Sequence, residues 1–359
     1  MKIAYILIWD SGKIDGVLKK VIDQINALDK LGNEVKLFIL SQLEYEFPSN
    51  INFEITRRGK SYKLLKSVNL LVSNVIKWNP NVCYLRMAFA YPALIRLAKT
   101  LPVFIEINTD DIEEFRLQGG RLKYYSHRVL KDALLSNAKG LIAVTNELKL
   151  RNLHHNKNIF VSANGIDLER FEESKNKHKG EENIANAVFI GTQNAILWHG
   201  IDKIILMAKH LDFVQFHIIG IEESEVESMQ HNSMPPNLKL YGFQHFEEYE
   251  KLVCKMDVAI STLALHRKKM QEACPLKTRE YLAIGLPTII AYDDTDFPDE
   301  VDFILKLPNE ENNIMPHLEK IKDFILSWKG KSIKSESIQH LSTFNKVKER
   351  MDFIISSIG

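Results

Sequence analysis

The sequence predicts an α/β protein built from two consecutive, Rossmann-like, doubly wound domains. Three observations carry this expectation. Short apolar runs alternate with helical patterns along the whole chain, the signature of βαβ units and parallel sheets. The 359 residues exceed one ordinary hydrophobic core and suit two domains of roughly 150 to 180 residues. A polar, charged break at residues 172–186 separates two series of such runs and reads as a linker. In folds of this class ligands are expected at the carboxyl ends of the strands and in the cleft between domains.

The first series places strands at residues 3–9, 34–39, 82–85, 103–107, 140–144 and 159–162, with helices between them at 17–31, 62–78 and 124–136. The second series places strands at 188–190, 213–219, 238–240, 258–261 and 288–291, with a helix at 201–211. Residues 314–358 read as two helices around a break at 328–337.

Composition removes several classes of function. Lys and Arg number 47 against 46 Asp and Glu, a net charge of +1, so no global polycation is present to bind nucleic acid through its phosphates. Any basic patch must be local. Cys83, Cys254 and Cys274 are odd in number and far apart, which speaks against a disulfide framework and for a reduced, cytoplasmic setting. Neither C-x-x-C nor H-E-x-x-H occurs, so zinc has no support in the sequence. Residues 1–10 carry one Lys and an apolar run that stops at Asp10, with no small-residue cleavage site, and read as a first strand rather than a signal peptide. No run approaches the ~20 apolar residues of a membrane span.

The most informative stretch runs from Glu272 to Glu280, E-A-C-P-L-K-T-R-E, followed by Y-L-A-I-G-L-P-T-I-I-A. A helix beginning at about Leu276 puts Glu272 on the loop ahead of its N-terminus and Glu280 about one turn inside it. A helix start presents unpaired backbone N–H groups and a partial positive charge, so a phosphate can dock there. Carboxylates on either side then accept hydrogen bonds from hydroxyls flanking that phosphate, one set on a sugar and one on a ribose. A nucleotide-sugar has that layout. Two solvated surface acids at this spacing are the plain alternative, but they leave the Cys-Pro-Leu helix start and the following apolar strand without a reason.

Glu272 and Glu280, with Gly285-Leu286-Pro287 behind them, resemble the donor-site signature of the retaining family 4 glycosyltransferases, which have the two-domain GT-B fold. The resemblance extends through the first strand and its Gly16 loop, Asn164-Gly165-Ile166-Asp167 with Phe171, and Phe189-Ile190-Gly191. It implies an acceptor-binding domain over residues 1–170, a nucleotide-sugar-binding domain over 171–335, and a last helix within 336–359 that crosses back onto the first domain. The implied activity moves a hexose from a nucleotide-diphosphate-sugar to a glycan or lipid-linked acceptor, with retention of configuration, in cell-surface polysaccharide synthesis. The nucleotide-sugar is then a substrate, and neither cofactor nor metal is implied.

In such enzymes transfer proceeds at the sugar face that the leaving group occupies, through an oxocarbenium-like transition state, and the departing phosphate accepts the acceptor's proton. Glu272 then holds hydroxyls of the transferred sugar and Glu280 those of the ribose, while Ala273, Cys274, Pro275 and Leu276 form the donor-binding helix start. Many members neutralise the diphosphate with an Arg after the first strand of the second domain and a Lys before a Gly. Here Thr192 and His199 stand near those positions, so the usual pair is absent.

Replacements come from a physical argument. Lys277 and Arg279 lie in the first turn of a helix, where the dipole disfavours positive charge by roughly 0.3–1 kcal/mol, and they make sense if an anion sits there. Lys277 is the leading catalytic candidate, helped by Arg267 or Lys268 from a basic loop that reads alternatively as a solvated turn. His199, beside Trp198 and before Gly200, either faces the phosphates or caps the helix at 201–211. Gly16 either approaches the donor phosphates or makes a tight left-handed turn. The first loop lacks G-x-G-x-x-G, which speaks against a dinucleotide-dependent oxidoreductase.

The acceptor is expected on the N-terminal domain. Asn108, Asp110 and Asp111 follow the strand at 103–107, and Arg86 closes the one at 82–85. Asp110 and Asp111 either bind acceptor hydroxyls or cap the next helix. A basic segment, Arg57-Arg58-Gly59-Lys60 with Lys63 and Lys66, precedes the apolar helix at 64–78 and resembles a peripheral membrane-surface element on the inner leaflet. The alternative is a helix whose apolar side lies in the core. Two other readings share the donor signature: a sugar-nucleotide 2-epimerase of the same fold, and a nonenzymatic sugar-nucleotide-binding partner of a transferase.

Overall fold

The computed structural model describes residues 1–10, 15–60, 62–118, 120–172, 184–191, 197–227, 234–244 and 246–359. It forms two compact units, Met1–Gly165 with Ser342–Gly359, and Ile166–Leu341. The first-loop residues 11–14, most of the expected linker (173–183) and the stretch 192–196 that contains Thr192 lie outside the described residues.

Unit 1 is built on a parallel sheet in the order β3-β2-β1-β4-β5-β6-β7. Its strands are β1 (Lys2–Ile8), β2 (Glu34–Ser41), β3 (Phe53–Arg57), β4 (Val82–Arg86), β5 (Val103–Ile107), β6 (Gly140–Ala143) and β7 (Ile159–Val161). Central strands are covered on both faces, so β1, β4, β5 and β6 read as mainly apolar runs without alternation, interrupted in β5 by the buried Glu106 and closed in β4 by Arg86. The edge strand β3 is the one the sequence reading omits: only Thr56 of its five residues is fully buried, and no apolar run betrays it.

Six helices fill the connections: α1 (Gly16–Lys30), α2 (Tyr62–Trp78), α3 (Pro92–Thr100), α4 (Asp111–Gln118), α5 (Arg121–Asn137) and α6 (Asn146–Asn152). Asp15 caps α1 by accepting from the backbone N–H groups of Val17 and Leu18. The C-terminal helix Thr343–Ile358 belongs to this unit. Its Val347, Met351 and Ile354 join Ile22 and Ile25 of α1 in one buried cluster.

Unit 2 repeats the plan with a parallel sheet ordered β10-β9-β8-β11-β13-β15. Its strands are β8 (Ala185–Ile190), β9 (Val214–Ile219), β10 (Leu238–Leu240), β11 (Val258–Ile260), β13 (Thr288–Ile290) and β15 (Ile304–Lys306), with a short parallel pair, β12 (Glu272–Ala273) and β14 (Asp293–Asp294), beside it. Its helices are α7 (Ile201–His210), α8 (Glu223–Glu227), α9 (Phe246–Val253), α10 (Leu276–Ile284) and α11 (Leu318–Trp328). Each sheet is doubly wound, so strand order reverses at one place, between β1 and β4 in unit 1 and between β8 and β11 in unit 2. Sites of open α/β sheets form at the carboxyl ends of strands flanking such a reversal.

Candidate functional site

At the reversal in unit 2, α10 is fastened to the end of β8 through one residue. The backbone N–H of Ile190 donates to the Tyr281 hydroxyl at 2.7 Å, and Lys277 Nζ donates to the Ile190 carbonyl at 3.2 Å. Lys277 and Tyr281 stand four apart on one helix face and so take both backbone polar groups of the same residue. The Lys277 ammonium also lies 3.8 Å from the centre of the Phe189 ring. Among the described residues no carboxylate lies within ion-pair distance of it. The side chain keeps some accessible surface, yet burial around the ammonium pulls its pKa down to about 7.

The start of α10 is open in the sense that matters for an anion. Pro275 is its extended N-cap and supplies no side-chain hydrogen bond, while the N–H groups of Thr278 and Arg279 turn back to the Pro275 carbonyl. Gly285 ends the helix in the left-handed region, at φ 93°, where a side chain would be strained. Glu272 and Ala273 lie on β12, and Cys274 is buried behind them. Glu280 receives a hydrogen bond from the Tyr249 hydroxyl at 3.1 Å.

His199 arrives from the other side of the reversal. Its carbonyl accepts from Leu263 N and that of Trp198 from Ala264 N, which ties the turn Leu197–His199 to the loop after β11. Gly200, left-handed at φ 77°, is the N-cap of α7, so His199 does not cap that helix. His199 Nδ1 is sealed from solvent without a hydrogen-bond partner. Burial, then the charges of Lys277 and Lys268, hold its pKa well below the ordinary value and keep the ring neutral.

Two basic side chains that the sequence offers to an anion are already engaged. Arg267 binds Asp202 and Glu311 through both ends of its guanidinium and donates to the Leu197 carbonyl, and these carboxylates raise its pKa. It is therefore corrected from a diphosphate ligand to a surface clamp. The next residue, Lys268, is buried, lies 4.9 Å from the Trp198 ring centre and contributes to lowering the His199 pKa. Arg279 is fully buried between Asp294 and Asp296, at 2.6 and 2.9 Å. The anion that its place in the first turn demands is the protein's own.

In unit 1 the reversal between β1 and β4 opens into a cavity of about 730 Å³. Arg86, Asn108 and Asp111 line it, with Trp9, Phe89 and Tyr91 among its walls. Asn108 Oδ1 accepts from Lys20 at 2.7 Å. Asp110 and Asp111 prove structural. Asp110 accepts from Glu113 N at the start of α4 and pairs with Arg151, while Asp111 is buried between His127 and Lys131, whose bonds outweigh its burial and lower its pKa. Both carboxylates already hold partners within the fold. Gly16 is the first residue of α1, behind the Asp15 cap.

Sequence reasoning missed the charge cluster beneath this cavity, in which Lys20, Tyr84 and Arg350 all reach Glu106. Nothing in the sequence marks it, because Arg350 lies 244 residues from Glu106. It also missed an exposed apolar stripe on α5. Leu122, Tyr125 and Val129 are 85%, 61% and 70% exposed, at helical spacing and beside Arg121, Lys123 and Arg128. On α2, Val68, Leu71, Val72 and Val75 are buried in the core, while Leu65 and Leu70 are exposed. Among the described residues no helix is long and apolar enough to cross a membrane.

No protein-family model and no curated protein matches this sequence. Solved structures match along the whole chain. Sucrose-phosphate synthase from Thermosynechococcus elongatus aligns over 99% of this chain and 98% of its own, with a TM-score of 0.74 at 14% identity. Anabaena Alr3699/HepE, in complex with UDP and glucose, aligns over 99% and 100% with a TM-score of 0.69 at 14% identity. The lipopolysaccharide outer core galactosyltransferase WaaB aligns over 99% of both chains with a TM-score of 0.68 at 11% identity. The chain thus carries the GT-B fold of these glycosyltransferases, with two Rossmann-like units.

Proposed function

We propose that this protein is a retaining, metal-independent hexosyltransferase that takes its sugar from a nucleotide-diphosphate-sugar and passes it to a glycan or lipid-linked acceptor in cell-surface polysaccharide synthesis. One observation carries the donor half: Lys277 holds an ammonium with no acidic partner among the described residues, at the strand-order reversal of unit 2 and in the first turn of α10, whose N-cap supplies no side-chain hydrogen bond. A buried charge left unbalanced is costly, and a diphosphate at the helix start supplies the balance. Lys268 adds a second positive charge on the same side of His199. Preorganised cations and amide dipoles that meet charge developing on a leaving diphosphate are an effective source of rate.

Glu272 and Glu280 flank that helix start and take hydroxyls of the transferred sugar and of the ribose. The hydrogen bond from the Tyr249 hydroxyl to Glu280 supports an ordered carboxylate for this role. The acceptor belongs to the unit 1 cavity, and the α5 stripe of Leu122, Tyr125 and Val129 with its basic neighbours suits a cytoplasmic enzyme working against an anionic membrane surface. Fold likeness to sucrose-phosphate synthase, WaaB and HepE supports a transferase, and the UDP and glucose bound to HepE support a nucleotide-sugar donor.

Thermal-shift screening against UDP-, GDP-, ADP- and dTDP-sugars tests the reading, since a ligand held only by the folded chain raises its stability by RT ln(1 + [L]/Kd). One nucleotide class should stabilise the wild type and lose that effect in Lys277→Met. Anomeric configuration of the product, read by NMR, should match the donor. No stabilisation by any of the four would remove the proposal.

A further inference from the structure

The charge cluster around Glu106, which adjoins the unit 1 cavity through Arg86 and Asn108, holds three basic side chains to one carboxylate. Arg86 and Glu106 are register partners on β4 and β5, and three cations, Lys20, Arg86 and Arg350, act on this one carboxylate. Glu106 is already taken: it pairs with Lys20, lies 3.5 Å from Arg350 and accepts from the Tyr84 hydroxyl at 3.1 Å. Arg350 has its other donors on Ser162 and on the carbonyls of Ser162 and Ala163. Lys20 is held by Asn108 and Asn164 as well. Burial pushes Glu106 toward protonation, but Lys20, Arg350 and Arg86 overcome it and hold its pKa below the usual carboxylate range.

Arg86 is the member left over. It lines the cavity, its Nη1 is sealed from solvent with no hydrogen-bond partner, and among the described residues no carboxylate lies within ion-pair distance of its guanidinium. The other basic residues of the wall differ. Arg58 is paired with Asp10, while Lys123 lies at 4.5 Å from the Phe115 ring centre and has no carboxylate partner among the described residues. The wall's acids do not close the gap. Asp10 and Asp111 have cation partners, and Glu114 accepts from the Thr109 hydroxyl. A guanidinium in a cavity wall, with no carboxylate partner and one buried donor unmet, suits recognition of a phosphate or carboxylate through its planar fork of donors.

We propose that this cavity recognises its acceptor through a phosphate-class anionic group gripped by Arg86, with the Trp9, Phe89 and Tyr91 walls receiving the carbon skeleton next to it. The inference rests on the transferase reading for the word acceptor, but the anion site stands or falls on its own. Titration calorimetry of inorganic pyrophosphate into the full chain should resolve two sites. Arg86→Gln should weaken one at least tenfold, Arg86→Lys should recover part of that loss, and Lys277→Met should weaken the other.

Lys123→Ala, at an exposed position, tests the same site should Arg86→Gln fail to fold, with an expected weakening of about threefold. Isotherms unchanged in both Arg86→Gln and Lys123→Ala overturn the inference and leave the donor reading intact. Weakening by Arg86→Gln alone, with Lys277→Met silent, upholds the inference and sinks the donor reading. Dodecyl phosphate and glucose 1-phosphate then separate the sources, since both should lose affinity in Arg86→Gln. Tighter binding of the first assigns a lipid-borne acceptor, and of the second a soluble sugar phosphate; equal affinity of wild type and Arg86→Gln for both overturns the proposal.

Discussion

Lys277 sits over the face of Phe189, its ammonium 3.8 Å from the ring centre, and no acid balances it among the described residues. The ring face offers a partial negative charge worth roughly 0.5–2 kcal/mol, less than the desolvation it offsets. The ammonium is therefore poised to gain from any anion that enters, and its protonation should respond to donor binding.

That response has a sign. With a folded-state pKa of about 7 against an ordinary 10.5, the unfolded chain binds more protons between those values, so the contribution of Lys277 to stability rises with pH across that window. Urea denaturation from pH 6 to 10 should show a shallower pH slope in Lys277→Met than in the wild type. A diphosphate donor should raise the pKa again and draw in a proton, which calorimetry at pH 8 in buffers of different ionisation enthalpy detects. Buffer-independent heats would count against a phosphate contact.

Glu280→Gln should lower kcat/KM for the donor on the order of 10- to 150-fold, the equivalent of about 1.5–3 kcal/mol for hydrogen bonds to a charged carboxylate. Tyr249→Phe, which removes one hydrogen bond to that carboxylate, should cost less. Equal donor affinity and turnover in Glu280→Gln would take the residue out of the site.

Lys268→Ala should weaken donor binding more than Arg267→Ala does. The Arg267 clamp joins exposed Asp202 and Glu311, and ion pairs of that kind contribute about 0–1 kcal/mol to stability. Donor titration of the two variants side by side ranks them, and a larger loss from Arg267→Ala would return it to the diphosphate.

Arg279→Met should destabilise the chain by about 3–5 kcal/mol, because it strands the buried carboxylates of Asp294 and Asp296 without their cation. Chemical denaturation measures this directly. A variant as stable as the wild type would mean those acids find another partner.

Leu122→Ser with Val129→Ser should reduce sedimentation with anionic vesicles at low salt, and Leu65→Ser on α2 should not. Each buried side chain of this size contributes roughly 1.5–3 kcal/mol of transfer energy. Vesicle binding that is indifferent to the α5 pair would move the membrane face elsewhere.

Much of the framework is legible in the chain because it is local. The largely apolar runs of β1, β5 and β13 announce parallel strands, and the helix at Leu276 with its flanking acids is visible from a single stretch of nine residues. What escapes is what local pattern cannot encode. The edge strand β3 fully buries only one side chain, the nine-residue α3 starts at Pro92, and β15 has three residues, so none carries a periodic signal long enough to read.

The sequence by itself determined two doubly wound units and put two acids and a lysine around one helix start, since backbone periodicity and capping act over a few residues. Only the tertiary structure decided which cations remain for a ligand. Arg267 meets Asp202 from 65 residues away, Arg279 meets Asp294 on the neighbouring β14, and Arg350 meets Glu106 across 244 residues, whereas Lys277 and Arg86 meet no acid among the described residues. Charge pairing depends on distance in space, and composition alone cannot say which charges the fold has already neutralised.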